Sequence, residues 1–335
     1  MLQFDLDHQA GVMYAIHTFV DVCLNFDMPN EAFIFNLERL WCAFEAFKQE
    51  GIDYAASIRA FIAVTEHVNS QRGMLSFAEY LSGLSIEEIR GLRRILHAHR
   101  GFILEEIEKY RNQEDDNQKS FLAEIDNVIV DRSSVLIVRV DLSYAVESLS
   151  DVTINVFDLH IQRLRRALKD KNGCFKHLLT FGLALEHGAT KGFHAHLMLV
   201  YNSSKIQNDV YYGFEVIDKW KEITMTNGGC TGIGFNVNLN KTKYKKKDTL
   251  GIGEISRDSA VQHANALRVA EYLVRPEKYS QMMLIRLGVK NTFTKGKYKP
   301  HGRNYQTHYK QKQLSCIART LAVEDAEILA DADLT

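Results

Sequence analysis

The run Gly192-Phe-His-Ala-His-Leu-Met-Leu-Val-Tyr201 constrains this chain more than any other segment, because two histidines interrupt an otherwise continuous apolar stretch. In a strand, residues i and i+2 project from the same face, so His194 and His196 would stand side by side. Two imidazoles so placed can hold a metal ion. The same tripeptide occurs earlier as His97-Ala98-His99. Its flank, 86–96, has helical spacing, which sends i and i+2 to nearly opposite sides. That first pair is read as surface decoration.

The rest of the chain divides by texture. Phe33, Leu37, Leu40, Trp41, Phe44 and Phe47 follow the helical period, as do 58–68 and 86–107, so 1–120 reads as helices with a start at Pro29-Asn30. The polar stretch Asn112-Gln-Glu-Asp-Asp-Asn-Gln118 is expected to loosen the chain and to place a domain boundary near 112–130. From 133 onward β-branched residues take over. Val135-Leu-Ile-Val-Arg-Val-Asp-Leu142 reads as a strand, and Asn155 opens a helix. His177-Leu-Leu-Thr-Phe-Gly-Leu-Ala-Leu-Glu186 is a second strand, joined through a turn at 188–192 to the His-bearing strand as a hairpin. A helix carrying Ile206, Val210, Phe214, Ile217 and Trp220 follows. Phe235-Asn-Val-Asn-Leu239 alternates as a half-buried strand does. A further helix runs from about Ser259 to Arg275, where Pro276 stops it, and 282–287 reads as a last strand. Strands with interspersed helices on a hairpin-containing sheet indicate an α+β protein. The expected division is a helical region over 1–125, an α+β domain over 126–320 and an acidic tail over 321–335.

A net charge of −1 conceals an asymmetry. Residues 1–130 carry 11 Lys/Arg against 21 Asp/Glu, a net of −10; residues 131–320 carry 30 against 16, a net of +14; the last fifteen residues add −5. The basic part is the one expected to meet a polyanion. Apolar runs of about ten residues are too short to cross a bilayer, and the start of the chain lacks the order of a signal peptide. The cysteines at 23, 42, 174, 230 and 316 are scattered and odd in number. A cytoplasmic protein with reduced thiols and no membrane partner is therefore expected.

Three features converge in the basic part. The first is the pair His194 and His196. The second is Glu186, which the hairpin folds back beside them; its neighbour His187 should point to the other face and is a weaker candidate. Two imidazoles and a carboxylate accept Mg²⁺, Mn²⁺ or Zn²⁺ without choosing among them. The third is Tyr272, which lies off the apolar stripe of Leu267, Ala270, Leu273 and Val274, with Arg268 and Arg275 on its own face. Arg suits phosphate oxygens, and a tyrosine phenol, ordinarily with a pKa near 10, needs cationic help to act as a nucleophile.

This combination resembles the HUH endonucleases, the nickases of rolling-circle replication and conjugation. Glu186-His-Gly-x-x-x-Gly-Phe-His-Ala-His-Leu-Met-Leu, then Gly251-Ile-Gly and Glu271-Tyr-Leu-Val-Arg275, looks most like the replication initiators of filamentous phages and their prophage relatives, over roughly 130–300. The resemblance implies an antiparallel-sheet, ferredoxin-like domain acting in the cytoplasm of a bacterial host. It implies that His194, His196 and Glu186 hold Mg²⁺ or Mn²⁺. It implies that Tyr272 attacks an origin phosphodiester in single-stranded DNA, stays linked to the 5′ phosphate and frees a 3′-OH primer. Where that family often has Lys three residues after the tyrosine, this chain has Arg275 followed by Pro276. Tyr279 is a second candidate nucleophile.

Two basic stretches could carry DNA. One holds Lys241, Lys243, Lys245, Lys246 and Lys247. The other, 290–312, interleaves Lys295, Lys297, Lys299 and Arg303 with aromatics including Tyr298, a composition that suits single strands. The chain lacks a Gly-x-x-x-x-Gly-Lys-Ser/Thr loop, so a helicase would have to be a separate host partner. Two other functions fit part of the pattern: a His₂Glu zinc hydrolase working through activated water, and a non-catalytic DNA-binding regulator of prophage origin. A cupin needs a Glu three or four residues after the His pair, where this chain has Val200 and Tyr201.

Overall fold

The computed structural model describes residues 5–226, 229–275, 281–288 and 291–300. The first part of the chain is helical: α1 (Gln9–Asn25), α2 (Asn30–Phe47), α3 (Ala56–Gln71), α4 (Phe77–Ser82) and α5 (Ile86–Ala98), with a short strand β1 (Ile52–Tyr54) between α2 and α3. Two of these helix starts are fixed by serines that satisfy free backbone N–H groups. Ser76 forms a capping box with Glu79, and Ser85 forms one with Glu88. His97 is exposed near the end of α5, and His99 turns its Nδ1 to the Ile95 carbonyl, so these two histidines form no pair.

Next come α6 (Arg100–Asp131), β2 (Ser134–Tyr144), α7 (Ile154–Asp170), β3 (Leu178–Gly188), β4 (Gly192–Asn202), α8 (Asp209–Met225), β5 (Gly232–Asn236), α9 (Lys241–Lys246), β6 (Gly253–Ser256), α10 (Ala260–Leu273), β7 (Ile285–Leu287) and β8 (Phe293–Lys295). The main sheet is antiparallel in the order β5-β2-β4-β3-β8, and β6 pairs with the start of β2. The protein is thus α+β.

Strand parity sorts the sheet's side chains into two layers. Phe193, Ala195, Leu197, Leu199 and Tyr201 point into a core shared with α7, α8 and the N-terminal helices. Met198 and Val200 point the other way, into a second core with Phe121, Ile125 and Val128 of α6 and Ala266, Ala270 and Leu273 of α10. Because both faces of β4 are covered, its sequence reads as a continuous apolar run rather than an alternation. Burial of each large apolar side chain contributes roughly 1.5–3 kcal/mol. The second layer covers only part of its face, and the His-bearing end of β4 extends beyond Met198 on that side.

Three expectations are corrected. Residues 112–118 do not loosen the chain, because α6 runs through them without interruption. That segment has no Gly or Pro to stop a helix, and Lys119 pairs with Asp115 one turn away. The proposed boundary therefore falls inside a helix, and the first core joins the N-terminal helices to the sheet. Residues 235–239 are not one strand: β5 ends at Asn236 and a 3₁₀ turn follows. The alternation there does not hold, since Asn236 and Asn238 are buried and hydrogen-bonded together with Val237, which is also buried, while Phe235 and Leu239 are exposed. Finally, the strand expected over 282–287 is shorter, pairs with β1, and is followed by β8, so it is not the last. The acidic tail at 321–335 lies outside the described residues.

His187 shows how closely the helical layer is joined to the sheet. It points away from His194, is fully buried, and its Nε2 donates to the Ala10 carbonyl at the start of α1 (2.6 Å). Burial lowers its pKa to about 4, and burial also lowers those of His8 and His17. The neutral ring of His187 therefore stabilises the fold fully above about pH 6.5. That contribution is lost as pH falls toward about 4, where protonation of the unfolded chain is favoured. Between these limits wild type should lose up to roughly 3 kcal/mol more unfolding free energy than His187→Gln. Urea unfolding at both ends of the window tests this, and parallel pH profiles for the two proteins would contradict it.

Candidate metal centre and adjoining cleft

The β3–β4 hairpin sets the site by register. Glu186 lies directly opposite His194, and His196 lies opposite Asp141 of β2. The tight turn into β4 uses Gly192 at φ +62°, a conformation that favours glycine. The Gly192 carbonyl then accepts a hydrogen bond from His194 Nδ1 (3.1 Å). On the other ring, His196 Nδ1 donates to Asp141 Oδ1 (2.6 Å).

These two bonds decide what the imidazoles offer inward. A carbonyl can only accept, and so can an ionised carboxylate, so both Nδ1 atoms carry protons. Burial works against the Asp141 carboxylate, but its bond with His196 and the charge of Arg139 hold its pKa below the usual range. Both Nε2 atoms face a single oxygen, Glu186 Oε2, at 3.5 Å from His194 and 3.1 Å from His196. In their neutral forms these are lone pairs aimed at a carboxylate, which requires positive charge to be stable. Protonation is one source. Burial opposes it at His196, yet the Asp141 and Glu186 carboxylates outweigh burial and raise its pKa. A cation is the other source. The three ligand atoms lie within 4.8 Å of one another, and all three residues are buried. The set fits a divalent metal, with Asp141 as the outer carboxylate that orients a ligating histidine.

Tyr272, 42 % accessible on α10, lines a cleft together with Asp141 and Arg139. Two guanidinium groups lie over its ring, that of Arg139 of β2 at 4.9 Å and that of Arg275 at 5.0 Å from the centroid. Arg139 Nη2 is 3.6 Å from Asp141 Oδ1. A continuous line of contacts thus runs from His196 through Asp141 and Arg139 to Tyr272. Arg268 lines the same cleft as Tyr272, and its Nη1 donates to Asn265 Oδ1 (3.2 Å). The cleft has a volume of about 410 Å³. On the opposite side, Tyr110 and Glu114 of α6 line the space beside Glu186. Burial, reinforced by the charges of Glu114 and Glu186, pushes the Tyr110 phenol well up.

The basic candidates separate. Lys243, Lys245, Lys246 and Lys247 are exposed on and just after α9, whose Tyr244 lines the cleft. Lys241 instead pairs with buried Asp209 (2.7 Å). In the second stretch, Gly296 bonds to Phe181 and Lys295 Nζ donates to the Ser120 carbonyl (2.8 Å), so the chain leads away from Glu186 along α6. Tyr298 is buried there, donating to Asp131 and accepting from Arg132 Nε (2.9 Å), which removes it as a stacking surface. Lys297 and Lys299 are exposed. Tyr279 and Arg303 lie outside the described residues.

Asp141 and Arg139 were missed by sequence reading. They are the two charged residues of an apolar strand, two apart and so on one face, a pattern that marks an open patch. Comparison with models of known protein families, curated proteins and solved structures gives no match to this chain.

Two substitutions test the centre. Glu186→Gln should abolish tight Mn²⁺ binding measured by calorimetry. Asp141→Asn should weaken it about 10- to 100-fold by loosening His196. Wild-type affinity in both variants would contradict the assignment.

Proposed function

We propose that this protein is a metal-dependent nickase and strand-transferase of the HUH type, acting on single-stranded DNA at a replication origin, with Tyr272 as nucleophile. The observation that carries the proposal is a tyrosine ring with two arginines over it, one of which reaches the carboxylate that is hydrogen-bonded to His196. A metal with water as its nucleophile, as in a zinc hydrolase, gives no reason for a half-exposed phenol held by two cations.

Glu186, His194 and His196 would hold the ion. When bound, it supplies Lewis-acid polarisation of the scissile phosphate and a template for its oxygens. Arg139 and Arg275 fix the plane of the Tyr272 ring and place positive charge where the phosphate must approach. The Tyr272 oxygen attacks phosphorus, forming a Tyr–O–P bond as the P–O3′ bond breaks. The phenol loses a proton and the leaving 3′ oxygen gains one. The number of phosphoester bonds is unchanged, so a later 3′-OH can displace the tyrosine and reseal a strand without a nucleotide cofactor. The exposed lysines of α9 offer charge for the adjoining backbone.

The test is a covalent adduct. Wild type with Mn²⁺ and a labelled pool of single-stranded oligonucleotides should give a protein–DNA species that survives denaturation and is lost with chelator or in Tyr272→Phe. Arg139→Ala should reduce its rate by roughly 10²- to 10³-fold. An adduct that persists in Tyr272→Phe but not in Tyr279→Phe would move the nucleophile. Cleavage without an adduct would indicate hydrolysis by activated water, and binding alone a regulator.

A further inference from the structure

We infer that the cleft beside Tyr272 is a nucleobase pocket, in which one unstacked base next to the scissile phosphate lies against Phe235. The inference rests on the proposed nicking reaction for where the phosphate sits, but not for the pocket itself.

Phe235 is 49 % exposed although it belongs to a strand of the main sheet. It lies directly opposite Asp141, which lies opposite His196, so the three form a row across β5, β2 and β4 on the site's face. Ile233, two residues earlier and on the same face, is exposed as well. Core packing does not account for an aromatic ring left half in solvent beside a charged centre. A stacking surface does.

The cleft fits such an occupant. At about 410 Å³ it lies near the lower end of the roughly 300–1,000 Å³ typical of small-ligand pockets. Phe235, Val237, Ile252 and Val269 give it apolar walls, and Tyr244 adds a second ring. Its lining also includes Arg139, Arg268 and Arg275, whose charge suits the phosphate next to a seated base. The side of the cleft formed by Gly251 and Asn265 is tight, because a Cβ at Gly251 would collide with the Asn265 carbonyl. α9 continues from Tyr244 with exposed lysines, giving the strand a cationic path outward.

The pocket's polar groups also indicate how it recognises its ligand. The Asn265 amide, the side chain best suited to reading a base edge, is already engaged: its Nδ2 donates to the Asp248 and Leu250 carbonyls, and its Oδ1 accepts from Arg268. Asn265 is therefore already committed and does not read a base edge, and stacking on Phe235 is the contact that holds the base.

The experiment uses the full chain in EDTA, so that binding is read without cleavage, with a fluorescent oligo-thymidine strand followed by anisotropy. Phe235→Ala should weaken binding roughly 5- to 150-fold, the range that base–aromatic stacking converts to. Phe235→Trp should restore it. A strand of abasic sugar-phosphate units should bind wild type and Phe235→Ala alike, and more weakly than oligo-thymidine binds wild type. Urea unfolding checks that Phe235→Ala is folded. Equal oligo-thymidine affinity in wild type and Phe235→Ala, or equal affinity of wild type for the abasic strand, would overturn the inference. The two readings fail separately. Covalent adduct formation with no effect of Phe235→Ala on affinity removes the pocket and keeps the nicking. Weakened binding in Phe235→Ala with no adduct in wild type removes the nicking and keeps the pocket.

Discussion

Two buried imidazoles share one carboxylate oxygen, and the rest of the site is arranged around that contact. His194 and His196 have their Nδ1 protons committed to Gly192 and Asp141, so only Nε2 is left to face Glu186. Neutral rings in that geometry would repel the carboxylate, and the space is dry enough for the repulsion to be costly. Positive charge at this point turns the conflict into a binding site. Asp141 is then more than a hydrogen-bond acceptor. It orients His196 and, on its other side, meets Arg139, which in turn lies over Tyr272. Charge among Glu186, His194 and His196 and geometry at the tyrosine are therefore linked through one carboxylate.

The helical layer contributes to this arrangement directly. α6 packs along α10, and Gln118 Nε2 donates to the Val274 carbonyl just past the end of that helix (2.9 Å), close to Tyr272 and Arg275. Tyr110 and Glu114 of the same helix border Glu186. The polar residues that suggested a linker over 112–118 are thus the ones that hold the tyrosine-bearing helix and wall the carboxylate. On the far face, His187 ties α1 to β3. The sheet is clamped between two helical layers, and the uncovered part of one face is left for the cleft.

Much of the centre was legible because its parts are local. Period-two spacing put His194 and His196 together, and a short hairpin was enough to bring Glu186 opposite them. The helix of Tyr272 was legible from its apolar stripe and from Ser259, which caps it. Asp141 and Arg139 were not, because they reach the site only through the placement of β2 beside β4. That pairing joins residues about sixty positions apart across a helix, and nothing local encodes it. Phe235 was misjudged for a different reason. Alternation of apolar and polar residues normally puts the apolar ones inside, but here Asn236 and Asn238 are buried because their amides bond to Val210, Ile137 and Asp209. Hydrogen-bonding demand overrode hydrophobic pattern, and the aromatic ring was turned outward beside the site.

The central claim is that Glu186, His194 and His196 form one divalent-metal site. Anomalous diffraction from crystals grown with Mn²⁺ tests it most directly. The expected result is a single strong peak bonded to His194 Nε2, His196 Nε2 and a Glu186 oxygen at roughly 2.0–2.3 Å, with His196 Nδ1 still on Asp141. A peak elsewhere, or none at this position with the three side chains ordered, would contradict it.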